Sequence, residues 1–379
     1  MSPVDQGRSV LKIGIVGCGN IADNHVKSYA SFDDVEITAV CDVDLTRAEE
    51  FAAARGIPNA VASAGAMFDL GVDAISVCTP HPTHEAIVTE AAGRGVDVLC
   101  EKPLSIDAAA ARRMIDASAA RGIILSTVFQ RRFWGAAVKV RQAIDSGELG
   151  VPMFGDCQVR LNRGSEYYDS APWRGTWAAD GGGVLMTQAV HYVDLLQWFM
   201  GEPVEVYAKA GNFTHGDAIE VEDTASAVIT FASGAIATLG ATVSASPSLG
   251  AEITVTGTSG STIRLAEYPE GSDATLDIWA TAGEKHAHST LVETGFQPDK
   301  NVNQVNHDLE LFHRLQLSDF VESVCERRRP AVTGGDAINS LLIIEAVYES
   351  ARTGQPVSLA ELAPSSPLKH LEQLRPAVN

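Results

Sequence analysis

The sequence predicts an α/β protein of two domains: an N-terminal doubly wound domain on a parallel sheet, followed by a second α/β domain. Three observations carry this. The chain has 379 residues, more than one hydrophobic core usually serves. Its first third alternates short apolar runs with helix-like stretches, the pattern of a parallel sheet with helices on both faces. Its second half carries alternating runs joined by turn signals, the pattern of hairpins. The expected domains are residues 10–130 and 131–362, with tails at 1–9 and 363–379.

The elements follow in order. Leu11–Val16 is an apolar run of the kind that forms a buried parallel strand. Gly17-Cys18-Gly19-Asn20-Ile21-Ala22 then turns into a helix reaching Ala30. Val35–Cys41 is the second strand, with Asp42 at its end, and Asp44–Arg55 is a helix closed by Gly56. A strand at Asp73–Cys78, a helix at Thr83–Arg94, a strand at Val96–Cys100, a helix at Ile106–Arg121 and a strand at Ile123–Val128 complete the first domain.

The first turn is the first place with chemistry. Gly17 permits the tight exit from the strand, and Gly19 lets backbone approach a pyrophosphate with no Cβ in the way. Ala22 replaces a third glycine and still allows helix to pack closely on strand. The phosphates would sit at the positive end of the helix, against Asn20 and Ile21. Gly-x-Gly-x-x-Ala alone is a weak signal. Here a strand precedes it, a helix follows, and an acid ends the next strand, which is the context of a Rossmann dinucleotide site. A carboxylate at Asp42 accepts hydrogen bonds from the adenosine ribose and repels a 2′-phosphate, so NAD is expected over NADP. Arg47, one turn into the next helix, is the residue that could accommodate NADP. The structural alternative for Asp42 is a helix N-cap.

Two more loops lie at carboxyl ends of parallel strands, where ligands bind in such sheets. Thr79-Pro80 with His84 follows one strand, and Glu101-Lys102-Pro103 follows the next. Lys102 there could exchange a proton with a hydroxyl or carbonyl once burial and a cationic neighbour lower its pKa. The plainer reading is a solvated loop lysine paired to Glu101.

Gln130-Arg131-Arg132-Phe133 closes the first domain, and Ala136–Ser146 reads as a helix. Residues 160–177, rich in arginine and aromatics and without periodicity, are expected to be a loop. Arg163, Tyr168 and Trp173 suit a polyhydroxyl ligand; an oligomer interface is the equal alternative. Gly181-Gly182-Gly183 breaks the chain before a helix at Val184–Met200. Thr187, His191 and Asp194 share one face of it. His191 can carry a proton near neutral pH, and Asp194 could orient its ring. Thr224–Phe231 and Ala235–Ser244 form a hairpin across Ser233-Gly234, a second hairpin turns at 257–260, and Asp308–Arg327 and Ala337–Ala351 read as helices.

Taken together, Gly17-x-Gly19-x-x-Ala22, Cys78-Thr79-Pro80 with His84, Glu101-Lys102-Pro103, Gly181-Gly182-Gly183 and His191-x-x-Asp194 resemble the Gfo/Idh/MocA oxidoreductases, from about Lys12 to Leu359. The resemblance implies a Rossmann domain joined to an α+β domain with a large, mostly antiparallel open sheet. It implies a tightly bound nicotinamide cofactor, a sugar, inositol or related substrate, and dimers or tetramers formed through the sheet. Lys102 matches the catalytic lysine, its bond to Pro103 is a candidate cis peptide, and Gln130 lies where such enzymes pass near the nicotinamide. Many relatives carry an aspartate four residues before the histidine. Thr187 stands there, followed by Gln188. Threonine cannot be a carboxylate base, so proton transfer is expected to fall on Lys102 and His191, with Thr187 and Gln188 hydrogen-bonding to substrate.

Composition excludes other classes. A formal charge of −20 repels phosphate backbones and anionic membranes, and no apolar run is long enough to span a bilayer. None of the six cysteines forms a C-x-x-C pair, no metal site is evident, and free cysteines without a secretion signal suit a reducing cytoplasm. The expected activity is interconversion of a secondary hydroxyl and a ketone on a sugar, cyclitol or glycoside. The rivals are a redox-neutral glycosidase with tethered NAD and a catalytically silent dinucleotide sensor.

Overall fold

The structure is a computed structural model, and it describes residues 10–280, 285–287 and 301–362. The chain divides into two compact units. The first gathers the described residues up to Leu104, with Arg113–Val128 and Glu310–Gly334. The second gathers Ser105–Arg112, Phe129–Leu309 and the described residues from Gly335 onward. One late helix, within Glu310–Gly334, belongs to the first unit.

The first unit is built on β1 (Leu11–Val16), β2 (Val35–Cys41), β3 (Asn59–Val61), β4 (Ala74–Val77), β5 (Asp97–Cys100) and β6 (Leu125–Thr127). All neighbours are parallel and the order is β3-β2-β1-β4-β5-β6. The order reverses between β1 and β4, the switch point where doubly wound sheets bind ligands. Ile13, Ile15 and Leu99 form the core with Tyr29 of helix Asn20–Tyr29 and with Leu317 and Phe320 of helix Glu310–Glu326. The late helix packs on Asn20–Tyr29. The strands are near-continuous apolar runs because helices cover both faces.

The second unit carries β7 (Pro152–Arg160), β8 (Pro203–Gly211), β9 (Thr224–Phe231), β10 (Ile236–Thr242), β11 (Gly250–Gly257), β12 (Thr262–Glu267), β13 (Thr275–Ala280), β14 (Lys285–Ala287) and β15 (Val357–Ser358). The order is β14-β13-β12-β11-β7-β10-β9-β8-β15. β7 and β10 are parallel and the other neighbouring pairs are antiparallel. This is the large, mostly antiparallel sheet the family resemblance implies. Period-two alternation decides which face is covered. Ala237, Leu239 and Ala241 of β10 are buried with Cys157 and Val159 of β7 and Ile253 and Val255 of β11. Helix Val190–Met200 packs on β7 and β11. Phe154, Tyr207, Val228 and Ile236 stand exposed on the opposite face.

Two local expectations change. Residues 160–177 are not wholly loop: Arg160 ends β7, and Ser165–Asp169 forms a short helix. Val184–Met200 is not one regular helix: Leu185–Ala189 is a π-helical segment, followed by the α-helix Val190–Met200. No helix among the described residues is long and apolar enough to cross a membrane.

Candidate active site

In the first unit, the parallel strands bring three loops to one sheet edge. β1 ends at the glycine turn, β4 at Cys78-Thr79-Pro80 and β5 at Glu101-Lys102-Pro103. Gly17 has φ +96°, and a Cβ there would lie 2.7 Å from the carbonyl oxygen of Cys78, so only glycine fits the approach to the β4 loop. Gly19 differs. A Cβ there would meet nothing within 4 Å, and the space in front of the turn is open. Gly19 is the N-cap of helix Asn20–Tyr29 and supplies no side-chain cap. Gly19 and Asn20 are exposed, Ile21 is half-buried, and Ala22 is packed inside. This is a cradle for an anionic group at a helix N-terminus, and it fits a dinucleotide pyrophosphate.

Asp42 is buried at the end of β2. Its Oδ2 accepts the N–H of Cys18 at 3.1 Å, and its Oδ1 accepts the N–H of Asp44 at 3.0 Å. Asp42 is therefore not the N-cap. That role belongs to Asp44, which accepts from the N–H of Arg47. The Arg47 guanidinium lies 3.7 Å from Asp42 and is largely exposed. The arrangement ties the carboxylate to the glycine turn, where a ribose would follow a bound pyrophosphate.

His84 is fully buried, and its ring joins two of the loops. Nε2 lies 2.9 Å from the carbonyl oxygen of Thr79, and Nδ1 lies 3.2 and 3.1 Å from those of Pro103 and Leu104. Burial pushes the imidazole pKa down, against the raising effect of these carbonyls. With both ring nitrogens directed at backbone, His84, which the sequence places among the cofactor contacts, holds the loop carrying Lys102. Thr79 is half-buried, and its hydroxyl accepts from Thr83 at 2.7 Å. Pro80 is exposed and Lys102 half-buried. The Lys102–Pro103 bond is cis.

Glu101 faces inward. Its Oε1 lies 2.9 Å from Nε2 of His25, and its Oε2 accepts the backbone N–H of Lys102 at 3.2 Å. Nδ1 of His25 is 3.0 Å from Oγ of Ser76, which is 2.8 Å from the hydroxyl of Tyr29. This buried chain was not read from the sequence. The only available signal was the spacing that places His25 on the inner face of the first helix, three residues after Ala22.

In the second unit, His191 and Asp194 lie in helix Val190–Met200, and Thr187 and Gln188 lie in the π-helical segment before it. Such segments recur at functional sites. His191 is 5% exposed and meets the Phe129 ring edge-on at 5.9 Å. Asp194 does not orient it: its carboxylate is held by Nε and Nη2 of Arg132 at 2.7 and 2.6 Å. Gln130 is buried next to Phe129. The hydroxyl of Thr187 has two acceptors within reach of its one hydrogen, Gly183 O at 2.7 Å and Oε1 of Gln188, whose Nε2 donates to the hydroxyl of Tyr167 at 3.0 Å.

The glycine run owes its composition to packing. A Cβ on Gly182 would lie 2.0 Å from the Tyr348 hydroxyl, and one on Gly183 would lie 1.7 Å from the Glu222 carbonyl oxygen. Glu222 caps the π-helical start, accepting the N–H groups of Gly183 at 2.7 Å and Leu185 at 3.0 Å. Burial raises its carboxyl to about 7 despite these bonds. The sequence reading did not include Glu222, which lies on a loop with no motif around it.

The aromatic loop divides. Arg163 is committed to Glu270 in a buried bidentate pair, at 2.9 and 2.6 Å, so it fixes the loop instead of presenting a free fork. Tyr168 packs edge-on against His215 at 5.1 Å. Trp173 lies half-buried beneath the Arg174 guanidinium, 4.6 Å away.

Comparison with known proteins agrees with this description. Residues 11–129 match the NAD-binding Rossmann-fold model of the GFO/IDH/MocA oxidoreductase family, and residues 137–263 match that family's C-terminal domain. The myo-inositol 2-dehydrogenase of Thermotoga maritima is 28% identical over 93% of this chain and 99% of its own. The D-apiose dehydrogenase of Paraburkholderia graminis is 25% identical over 94% and 92%. The WlbA dehydrogenase of Bordetella pertussis, solved with NADH and UDP-GlcNAcA, is 30% identical over 93% of this chain and 99% of its own, with a TM-score of 0.79. The chain belongs to the Gfo/Idh/MocA family of NAD-binding oxidoreductases.

Proposed function

We propose that this dehydrogenase interconverts a secondary hydroxyl and a ketone on a sugar, cyclitol or related polyol, with Lys102 and His191 as its proton-handling groups. Bound NAD supplies a hydride acceptor for the carbinol hydrogen. Gly19, Asn20 and the helix N-terminus hold its pyrophosphate, and Asp42 takes the adenosine ribose. Lys102 accepts the hydroxyl proton as the C–H bond breaks, and in reverse it returns that proton to the ketone oxygen. His191 is the proton-handling group that the second unit contributes, with Thr187 and Gln188 hydrogen-bonding to substrate hydroxyls. The observation that carries this reading is Lys102: a half-buried lysine at the carboxyl edge of β5, on a loop that His84 and Glu101 both fix.

The test is NADH formation across free sugars, cyclitols and glycosides, repeated with Lys102→Ala. Turnover with one class, lost in the variant while NAD binding persists, supports the assignment. A Lys102→Ala protein with full activity would refute it, and sugar release without net NADH would replace it with redox-neutral cleavage. We further propose that a second copy of the chain covers the exposed Phe154, Tyr207, Val228 and Ile236; a monomeric native mass would refute that.

A further inference from the structure

We propose that Arg174 is an anion receptor in the substrate site and that the polyol oxidised carries a carboxylate. The proposal rests on the alcohol-oxidising reading above and names its substrate class.

The buried arginines of the second unit are neutralised one by one. Arg131 pairs with Glu267, Arg132 with Asp194 and Arg163 with Glu270. Arg174 is half-buried and has no carboxylate partner among the described residues. Its guanidinium lies 4.4 Å from the ring centre of Tyr167 and 4.6 Å from that of Trp173. Nη1 donates to the Tyr167 hydroxyl at 2.7 Å. Nε is buried and takes no acceptor among the described residues. The nearby Asp180 directs its Oδ2 to the N–H of Gly175 at 2.6 Å. In a chain of charge −20, carboxylates are abundant, so a stacked guanidinium left without one is poised for a carboxylate from outside. Aromatic faces fix the plane of an arginine and leave its edge for bidentate recognition.

The location connects this cation to the candidate site within the second unit. The Tyr167 oxygen accepts from Arg174 on one side and from Gln188 on the other. Gln188 follows Thr187 in the π-helical segment that leads to His191. With both acceptor positions of Tyr167 filled, its own hydrogen is left to donate. Arg174 and Tyr167 together offer a cation and an O–H donor, a set that suits a carboxylate better than a neutral hydroxyl.

The test pairs substrates that differ mainly in the acid: glucuronate against glucose, galacturonate against galactose, and gluconate against sorbitol, with glucose 6-phosphate as the phosphate arm. Turnover is followed by NADH, and binding by calorimetry in the presence of NADH. Acidic members should exceed their neutral counterparts by roughly 10- to 100-fold, the scale of one charge-assisted bidentate contact. Arg174→Met should erase that ratio, and Arg174→Lys should restore part of it; retained NAD affinity reports that both fold. Acids that neither bind nor react better than neutral partners would overturn the proposal, as would an unchanged ratio in Arg174→Met or a preference for the phosphate. If the acids bind through Arg174 but no member reduces NAD, the dehydrogenation reading fails and the receptor stands.

Discussion

Nε2 of His25 lies 2.9 Å from Oε1 of Glu101, and the same carboxylate accepts the backbone N–H of Lys102. A residue of the first helix thus fixes, through one buried acid, the backbone that carries the proposed proton acceptor. Burial alone would push the Glu101 carboxyl up. The hydrogen bond from His25 and the positive fields of His25, His313 and Lys102 outweigh it and hold the group at about 2.

The sign of the resulting pH dependence follows. A carboxyl held below its ordinary value of 4.5 stabilises the fold above that value, and loses the contribution as pH falls toward 2. Glu101→Gln removes the titration. The stability gap between wild type and variant, from urea unfolding, should be on the order of 3 kcal/mol at pH 7 and shrink steadily below pH 4.5. A gap that does not change with pH would contradict the assignment.

The Arg132–Asp194 pair predicts a different signature. Removing one partner of a buried ion pair costs about 3–5 kcal/mol, so Asp194→Asn should lower Tm by several degrees. It should leave the pH midpoint of turnover in place, because Asp194 is bonded to Arg132 and Gln197 and not to His191. A shifted midpoint with an unchanged Tm would make Asp194 the orienting partner of His191 after all.

What the sequence made legible divides along physical lines. The parallel sheet, the glycine turn and the hairpins were readable because local periodicity and turn chemistry determine them. Gly17 was explained by the tight turn and Ala22 by close packing of helix on strand; Gly17 has φ +96° and Ala22 is fully buried. Pairings set by the tertiary fold were not readable. Arg163 looked like a free fork until Glu270, 107 residues away, was placed against it. Glu222 carries no motif, and its role appears only when the sheet brings it to the start of the π-helical segment. The return of helix Glu310–Glu326 to the first unit is likewise invisible in any local pattern.

Gly183 marks a site where fold and proposed function meet. A methyl group there overlaps the Glu222 carbonyl oxygen and would displace the segment bearing Thr187 and Gln188. Gly183→Ala should cost about 3 kcal/mol or more, since the obstacle is backbone that cannot rotate away. Thermal unfolding tests the stability, and KM for the preferred sugar tests the displacement. Wild-type values of both would refute the steric reading.

Gly19 should behave in the opposite way. Its φ of −84° is open to any residue, and a Cβ would point into empty space. Gly19→Ala should therefore leave Tm within about 1 °C of wild type, unlike Gly183→Ala. That empty space is where the proposed pyrophosphate lies, so the methyl should weaken NAD by roughly tenfold or more, equivalent to about 1.4 kcal/mol. Calorimetric titration with NAD measures this directly, without turnover. Unchanged affinity would place the dinucleotide elsewhere on the sheet edge. Lost stability would mean that the turn is closed by packing, not held open for a ligand. Only a stable variant with weakened NAD binding fits a glycine retained for the cofactor.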